Sequence, residues 1–153
     1  RKQIAAGANK VGRKSSQVKL VEYIRICVDD DDDTARIAFA KATMGYALGD
    51  KIPSERERQM GYRAHFERMG FTDDLAELDK MRRRGATQDE LAEAFPANLL
   101  KTVGYYGTPQ NAMREFKRLG SGLDTAIVRV VAARNNIDSV RAVMRACAPN
   151  QSS

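Results

Sequence analysis

Val18-Lys19-Leu20-Val21-Glu22-Tyr23-Ile24-Arg25-Ile26-Cys27-Val28 is the stretch on which the fold of this chain turns. Read as an extended strand, it puts Val18, Leu20, Glu22, Ile24, Ile26 and Val28 on one side and Lys19, Val21, Tyr23, Arg25 and Cys27 on the other. Both sides are apolar enough to be covered. A parallel sheet packed on two faces has that pattern, whereas a solvated antiparallel sheet leaves one face plainly polar.

Working outward, the run Asp29 to Asp33 follows at once and leads through Thr34-Ala35-Arg36 into a helical stretch ending at Leu48, with Ile37, Ala40, Met44 and Leu48 as its apolar stripe. The aspartates lack the alternation, turn glycine and closing glutamate of a calcium loop. They read instead as acid at a helix N-terminus, where capping and the macrodipole favour negative charge. Upstream, Lys2 to Val11 reads as a short helix with Ile4, Ala8 and Val11 on one face, ended by Gly12.

Downstream, about 50–106 reads as a helical insertion without a strand, punctuated by Pro53, Gly70, Gly85 and Pro96. Ser54 with Glu57 and Thr87 with Glu90 have capping-box spacing. Tyr62, Phe66 and Met69 are expected to line one helical face of the core, and Leu75 and Leu78 the next. A well-signalled helix follows, with Thr108 as N-cap, Pro109 at its first position and Ala112, Met113, Phe116 and Leu119 inward. Thr125 to Val131 is the second strand, and Asn136 caps a last helix in which Ile137, Val140, Met144 and Cys147 point one way.

The chain has 153 residues, 42% apolar and 30% charged, which fits one ordinary globular unit. No window is apolar enough for a membrane span or a secretory leader. Cys27 and Cys147 have neither a CxxC partner nor a neighbouring histidine, so they are expected as buried free thiols of a reducing cytoplasm. His65 is the only histidine, which excludes a multi-histidine metal cluster within the chain. The net charge of +6 is spread over interleaved acids and bases rather than segregated into a stripe, so no nucleic-acid partner is expected. The densest basic run, Lys80-Met81-Arg82-Arg83-Arg84, falls in the last turn of an expected helix, where cations suit the dipole.

The order is helix, strand, helical insertion, helix, strand, helix. Two parallel strands need further neighbours, so the fold class expected is α/β, mostly helical, the end of a longer eight-stranded (β/α)8 barrel or of a doubly wound sheet. Open strand edges make homo-oligomers, or association through those edges, the expected behaviour of the chain alone.

Four stretches carry a resemblance. Gly107-Thr108-Pro109, Gly120-Ser121-Gly122-Leu123-Asp124 before the strand Thr125 to Val128, Ala8-Asn9-Lys10-Val11-Gly12-Arg13 before the first strand, and Val28-Asp29-Asp30-Asp31 with Thr34-Ala35-Arg36 after it resemble the C-terminal part of luciferase-like monooxygenases. Those are the bacterial-luciferase superfamily of flavin and deazaflavin oxidoreductases. The resemblance covers about Arg1 to Cys147 and implies a TIM barrel of which residues 1–153 supply strands 7 and 8 with their helices. It implies a cytoplasmic two-electron redox enzyme acting on a small-molecule substrate with coenzyme F-420 (deazaflavin) or FMN, the ring being held by strands absent here. No catalytic residue is carried over. Lys101 lies near the place where basic residues reach an anionic substrate in sugar-phosphate-oxidising members.

From the residues themselves, the ends of the strands are the positions to watch, because barrel active sites form there. Arg134 follows the second strand, while Arg25 and Arg129 point into a lumen if the more apolar face of each strand packs on helices. A lumenal arginine needs an acid or an anionic ligand. With Lys101 from the resemblance, the anion candidates are Lys101, Arg25, Arg129 and Arg134. A helical adaptor or nucleic-acid-binding module, and a different barrel enzyme such as a lyase or aldolase, are the alternative functions.

Overall fold

Strand β1 runs Val21–Val28 and is hydrogen-bonded on both edges by parallel neighbours. On one edge β3, Thr125–Val130, pairs from Val21 opposite Thr125 to Ile26 opposite Val130. The two strands expected from sequence are thus adjacent and parallel. On the other edge β2, Gly104–Gly107, pairs only with the last four residues, Arg25 to Val28, giving the order β2-β1-β3. The computed structural model from which these features are drawn describes residues 1–49 and 54–149, without the side chains of 57–59. The Pro53 turn and the Ser54–Glu57 capping box fall on positions outside the described residues and side chains.

The strand-free reading of 50–106 is corrected by β2. Gly-Tyr-Tyr-Gly is too short to display a strand period, and what makes it a strand is the lack of a side chain at Gly104. A Cβ there would lie 2.4 Å from the Arg25 carbonyl oxygen and 2.6 Å from the Phe39 ring. β1 also starts three residues later than its apolar pattern suggests. The Leu20 N–H is taken by the Asp124 carboxylate at 2.8 Å, and the Leu20 carbonyl accepts from the Asp124 and Thr125 N–H groups at 2.9 and 3.1 Å. Asp124 thereby sets the register in which β1 and β3 begin.

Each face of the sheet has its own cover. Ile24, Ile26 and Val28 are buried under α8 (Pro109–Leu119) and α9 (Ile137–Ala146), together with Ala112, Phe116, Val143 and Cys147. On the opposite face α2 (Asp32–Leu48) packs Phe39 and Ala35 against Cys27 and Tyr106, at the C-terminal half of the strands only. The Asp29–Asp33 run caps this helix as expected, the Asp31 carboxylate accepting from Asp33 N–H and Thr34 Oγ1.

Behind α2 lie the short helices α3 (Glu55–Met60) and α4 (Tyr62–Phe66), then α5 (Thr72–Arg83), α6 (Gln88–Glu93) and α7 (Ala97–Val103). Asp79, 1% exposed, ties α4 and α5 to the end of α2. One carboxylate oxygen meets Arg63 at 2.9 Å and the other Arg82 at 3.0 Å, while Arg63 also meets Glu67 at 2.8 Å. Arg82 donates onward to the Gly49 and Leu48 carbonyls at the end of α2. This member of the Lys80–Arg84 run therefore satisfies a helix terminus.

Three expected apolar faces are rotated. Tyr62 and Met69 are exposed while Arg63, Ala64 and Phe66 turn inward, because the helix is broken at Gly70, whose φ is +98°. In α9 the inward residues are Ser139, Val143 and Cys147, with Ile137 and Met144 exposed; the Asn136 side chain accepts from Ser139 N–H at 2.9 Å and so fixes the start of the first turn. In α1 (Lys2–Lys10) Ala8 is buried but Val11 lies beyond the helix and is 71% exposed. The Thr87–Glu90 capping box is present as read. Thr108 holds the N-cap position of α8, but its side chain caps no backbone N–H; its carbonyl instead accepts from Tyr105 Oη at 2.7 Å, and Pro109 at the first position removes one donor that a cap serves.

Two stability measurements follow from these contacts. Asp79→Ala leaves two arginines facing each other without their acid and should cost about 3–5 kcal/mol in urea unfolding; a loss under 1 kcal/mol would mean the network is not what joins α2 to α5. In the same assay Asn136→Ala should cost about 1 kcal/mol as a lost cap while Thr108→Ala stays within about 0.5 kcal/mol.

Candidate functional site

Alternation along the strands puts Val21, Tyr23, Arg25 and Cys27 on the α2 face of the sheet. Because α2 reaches only the far half, Val21, Tyr23 and Ile127 stay 55%, 51% and 47% exposed. Arg25 and Arg129 stand at the border between the covered and open halves. They are direct register partners across β1 and β3, so two cations sit side by side. Neighbouring parallel strands lie about 4.8 Å apart, and like charges directly opposite each other repel.

Tyr46, from the last turn of α2, reaches both arginines. Its ring centre is 4.6 Å from the Arg25 guanidinium carbon and 5.6 Å from that of Arg129, and Arg129 Nη2 donates to its hydroxyl at 3.2 Å. Arg129 also lies 5.4 Å from the Tyr23 ring, and Tyr62 meets Tyr46 edge-on at 5.3 Å. The Arg129 hydrogen bond, with the Arg25 guanidinium beside it, holds the Tyr46 phenol below its ordinary value near 10. These rings and Arg25 open onto a cleft of about 330 Å³ that His65 and Thr102 also border. Among the described residues no carboxylate lies within ion-pair distance of Arg25 or Arg129. The arrangement offers paired guanidinium donors on an aromatic wall, suited to holding an oxyanion.

The four anion candidates thus separate. Arg25 and Arg129 come together, on the face opposite α8 and α9. Arg134 is already paired: its Nε and Nη2 meet the two Asp29 oxygens at 2.9 and 3.1 Å, closing the C-terminal ends of β1 and β3. This is a salt bridge that no sequence pattern signals across 105 positions. Lys101 is exposed on α7 and does not border the cleft. Tyr46 is the member that sequence reasoning missed, because it lies off the apolar stripe of α2. The signal available was a tyrosine in the last turn of the helix, opposite strand arginines.

The remaining reactive groups are inert by environment. Burial, reinforced by Asp29, pushes the Cys27 thiol up to about 12, and burial also raises Cys147; both are free and buried, as expected. At the Gly107-Thr108-Pro109 turn, a Cβ on Gly107 would come 2.9 Å from Tyr105 Oη, so the glycine is needed for that internal hydrogen bond. No described helix is long and apolar enough to cross a membrane. Comparison of the chain with models of protein families and with characterised proteins finds no match.

The Asp29–Arg134 pair gives a pH-dependent test. The Arg134 hydrogen bonds hold the Asp29 carboxyl below the usual range, so its stabilisation is full above the unfolded value near 4 and is lost as pH falls through the lower folded value. Arg134 is about half exposed, so Asp29→Asn should cost only about 1 kcal/mol at pH 7. That deficit should shrink steadily below about pH 4. An equal deficit at pH 7 and pH 2 would show that the charge on Asp29 is not what holds the strand ends.

Proposed function

We propose that residues 1–153 are the C-terminal part of a (β/α)8 barrel of the luciferase-like type, β1 and β3 serving as strands 7 and 8, in a flavin- or coenzyme F-420-dependent oxidoreductase. The observation that carries this is the asymmetry of the sheet. Two adjacent parallel strands bury one face under α8 and α9, while the other shows exposed Val21, Tyr23 and Ile127 beside two arginines. In a (β/α)8 barrel the helix-covered face is the outside and the other is the lumen, filled by side chains from the remaining strands. The four ordered motifs add the chemistry, since they are what resembles the flavin and deazaflavin enzymes.

The residues of this chain fit the edge of a ligand site rather than the ring pocket. A tricyclic ring takes an enclosed, mostly apolar cavity. The cleft beside Tyr46 is open and bordered by phenols, the Arg25 guanidinium, the His65 imidazole and the Glu22 carboxylate, so in this reading the ring is held by the preceding strands. A small-molecule substrate in the lumen would meet Arg25, Arg129 and Tyr46.

One observation favours a second architecture. The order β2-β1-β3 progresses first to one side of β1 and then to the other, as in a doubly wound sheet, whose ligands lie outside the carboxyl ends of strands at such a reversal. The barrel reading requires a preceding strand on the edge of β1, where β2 now holds Arg25 to Val28 and leaves Val21 to Ile24 unpaired.

The longer parent protein, purified without added cofactor, should carry flavin absorbance or deazaflavin fluorescence. The 153-residue chain alone should bind neither compound and should self-associate by light scattering. A colourless parent, or a monomeric chain that binds either compound at about micromolar concentration, would contradict the assignment, because two strands of eight then suffice.

A further inference from the structure

We infer that Arg25 and Arg129 together form a binding site for a phosphate-class dianion on the open face of the sheet. This goes beyond the redox reading and does not depend on it, because every group involved belongs to this chain.

The first argument is how the protein treats other arginines. Arg63 and Arg82 share Asp79, Arg36 lies beside Asp33, and Arg134 has Asp29. Arg25 and Arg129 have no acid within ion-pair distance among the described residues, although the register sets them directly opposite each other. Tyrosine faces stabilise the cations without neutralising them, and their repulsion persists.

The second argument is an unused donor. A guanidinium stacked on a ring engages it with its face and keeps its N–H groups in plane for an oxyanion. The Nε of Arg25 is buried and has no hydrogen-bond partner among the described residues. Such a donor is costly to leave unpaired, and Arg25 borders a cleft large enough for a small ligand, which Glu22 borders as well.

The third argument selects the class. Two arginines on register partners, their backbones about one strand spacing apart and both guanidiniums against the Tyr46 ring, carry two positive charges that a single carboxylate only half neutralises. A tetrahedral dianion with three free oxygens accepts from both forks at once. The group that fits is inorganic phosphate or the terminal phosphate of a monoester, with Tyr46, Tyr62 and His65 against whatever the phosphate carries.

The test is a titration of the 153-residue chain with inorganic phosphate and with glycerol phosphate, against acetate at equal ionic strength, followed by the arginine Nε–Hε signals in ¹⁵N NMR. Arg25→Gln and Arg129→Gln assign those signals. Both phosphates should shift the Arg25 and Arg129 signals saturably, and each substitution should weaken binding about tenfold or more, the worth of a charge-assisted hydrogen bond. Tighter binding of glycerol phosphate would identify the group as part of a larger ligand, and equal binding the free anion; either supports the site. Circular dichroism checks folding of the variants. If one fails to fold, the other variant and the wild-type signals still decide. Acetate matching phosphate, shifts confined to Lys80–Arg84, or binding unchanged in a folded variant would overturn the inference.

Discussion

β1 is the constraint on which the rest of the molecule depends. It is hydrogen-bonded along both edges, carries a continuous apolar ridge of Ile24, Ile26 and Val28 on one face and ends buried on both. A parallel strand of this kind has to find two neighbours, and the chain brings them from far downstream. Asp124 fixes where β3 starts by accepting the Leu20 N–H, and Gly104 lets β2 approach the Arg25 carbonyl and the Phe39 ring. Once those two contacts exist, the crossings place α2 on one face and α8 and α9 on the other. The arginines and the tyrosine between them are consequences of that register.

The open half of the sheet follows from a difference in reach. The helices α8 and α9 cover the Ile24, Ile26 and Val28 face, while α2 covers only Cys27 and its surroundings. Apolar side chains such as Val21 and Ile127 therefore stand in water beside the stacked cations. A sheet face of this composition is stable where further chain lies on it. That open half-face, more than any single residue, is why the proposed barrel and the proposed dianion site concern the same surface.

The sequence made legible what local period and capping chemistry control. The alternation in Val18 to Val28 and Thr125 to Val131 located both long strands, and the aspartate run and Asn136 marked helix starts that the structure contains. What it did not reveal depends on tertiary proximity. β2 has too few residues to show a period. Arg134 reads as a free cation until Asp29 is seen beside it. Tyr46 has no significance until β1 and β3 pair, because only then do Arg25 and Arg129 become neighbours. Met144 and Ile137 look like core by spacing, yet the cap at Asn136 turns Val143 inward instead.

The central claim is that the Tyr23–Ile127 face is an interior surface of a larger protein. Because Cys27 and Cys147 are both buried, a single cysteine introduced by Ile127→Cys reports on that face by its rate of reaction with a thiol reagent. The account predicts rapid labelling in the 153-residue chain and strong protection in the full-length parent, where the remaining strands lie over it. Equal, rapid labelling in both would contradict the account, since the face would then be an outer surface with no lumen behind it.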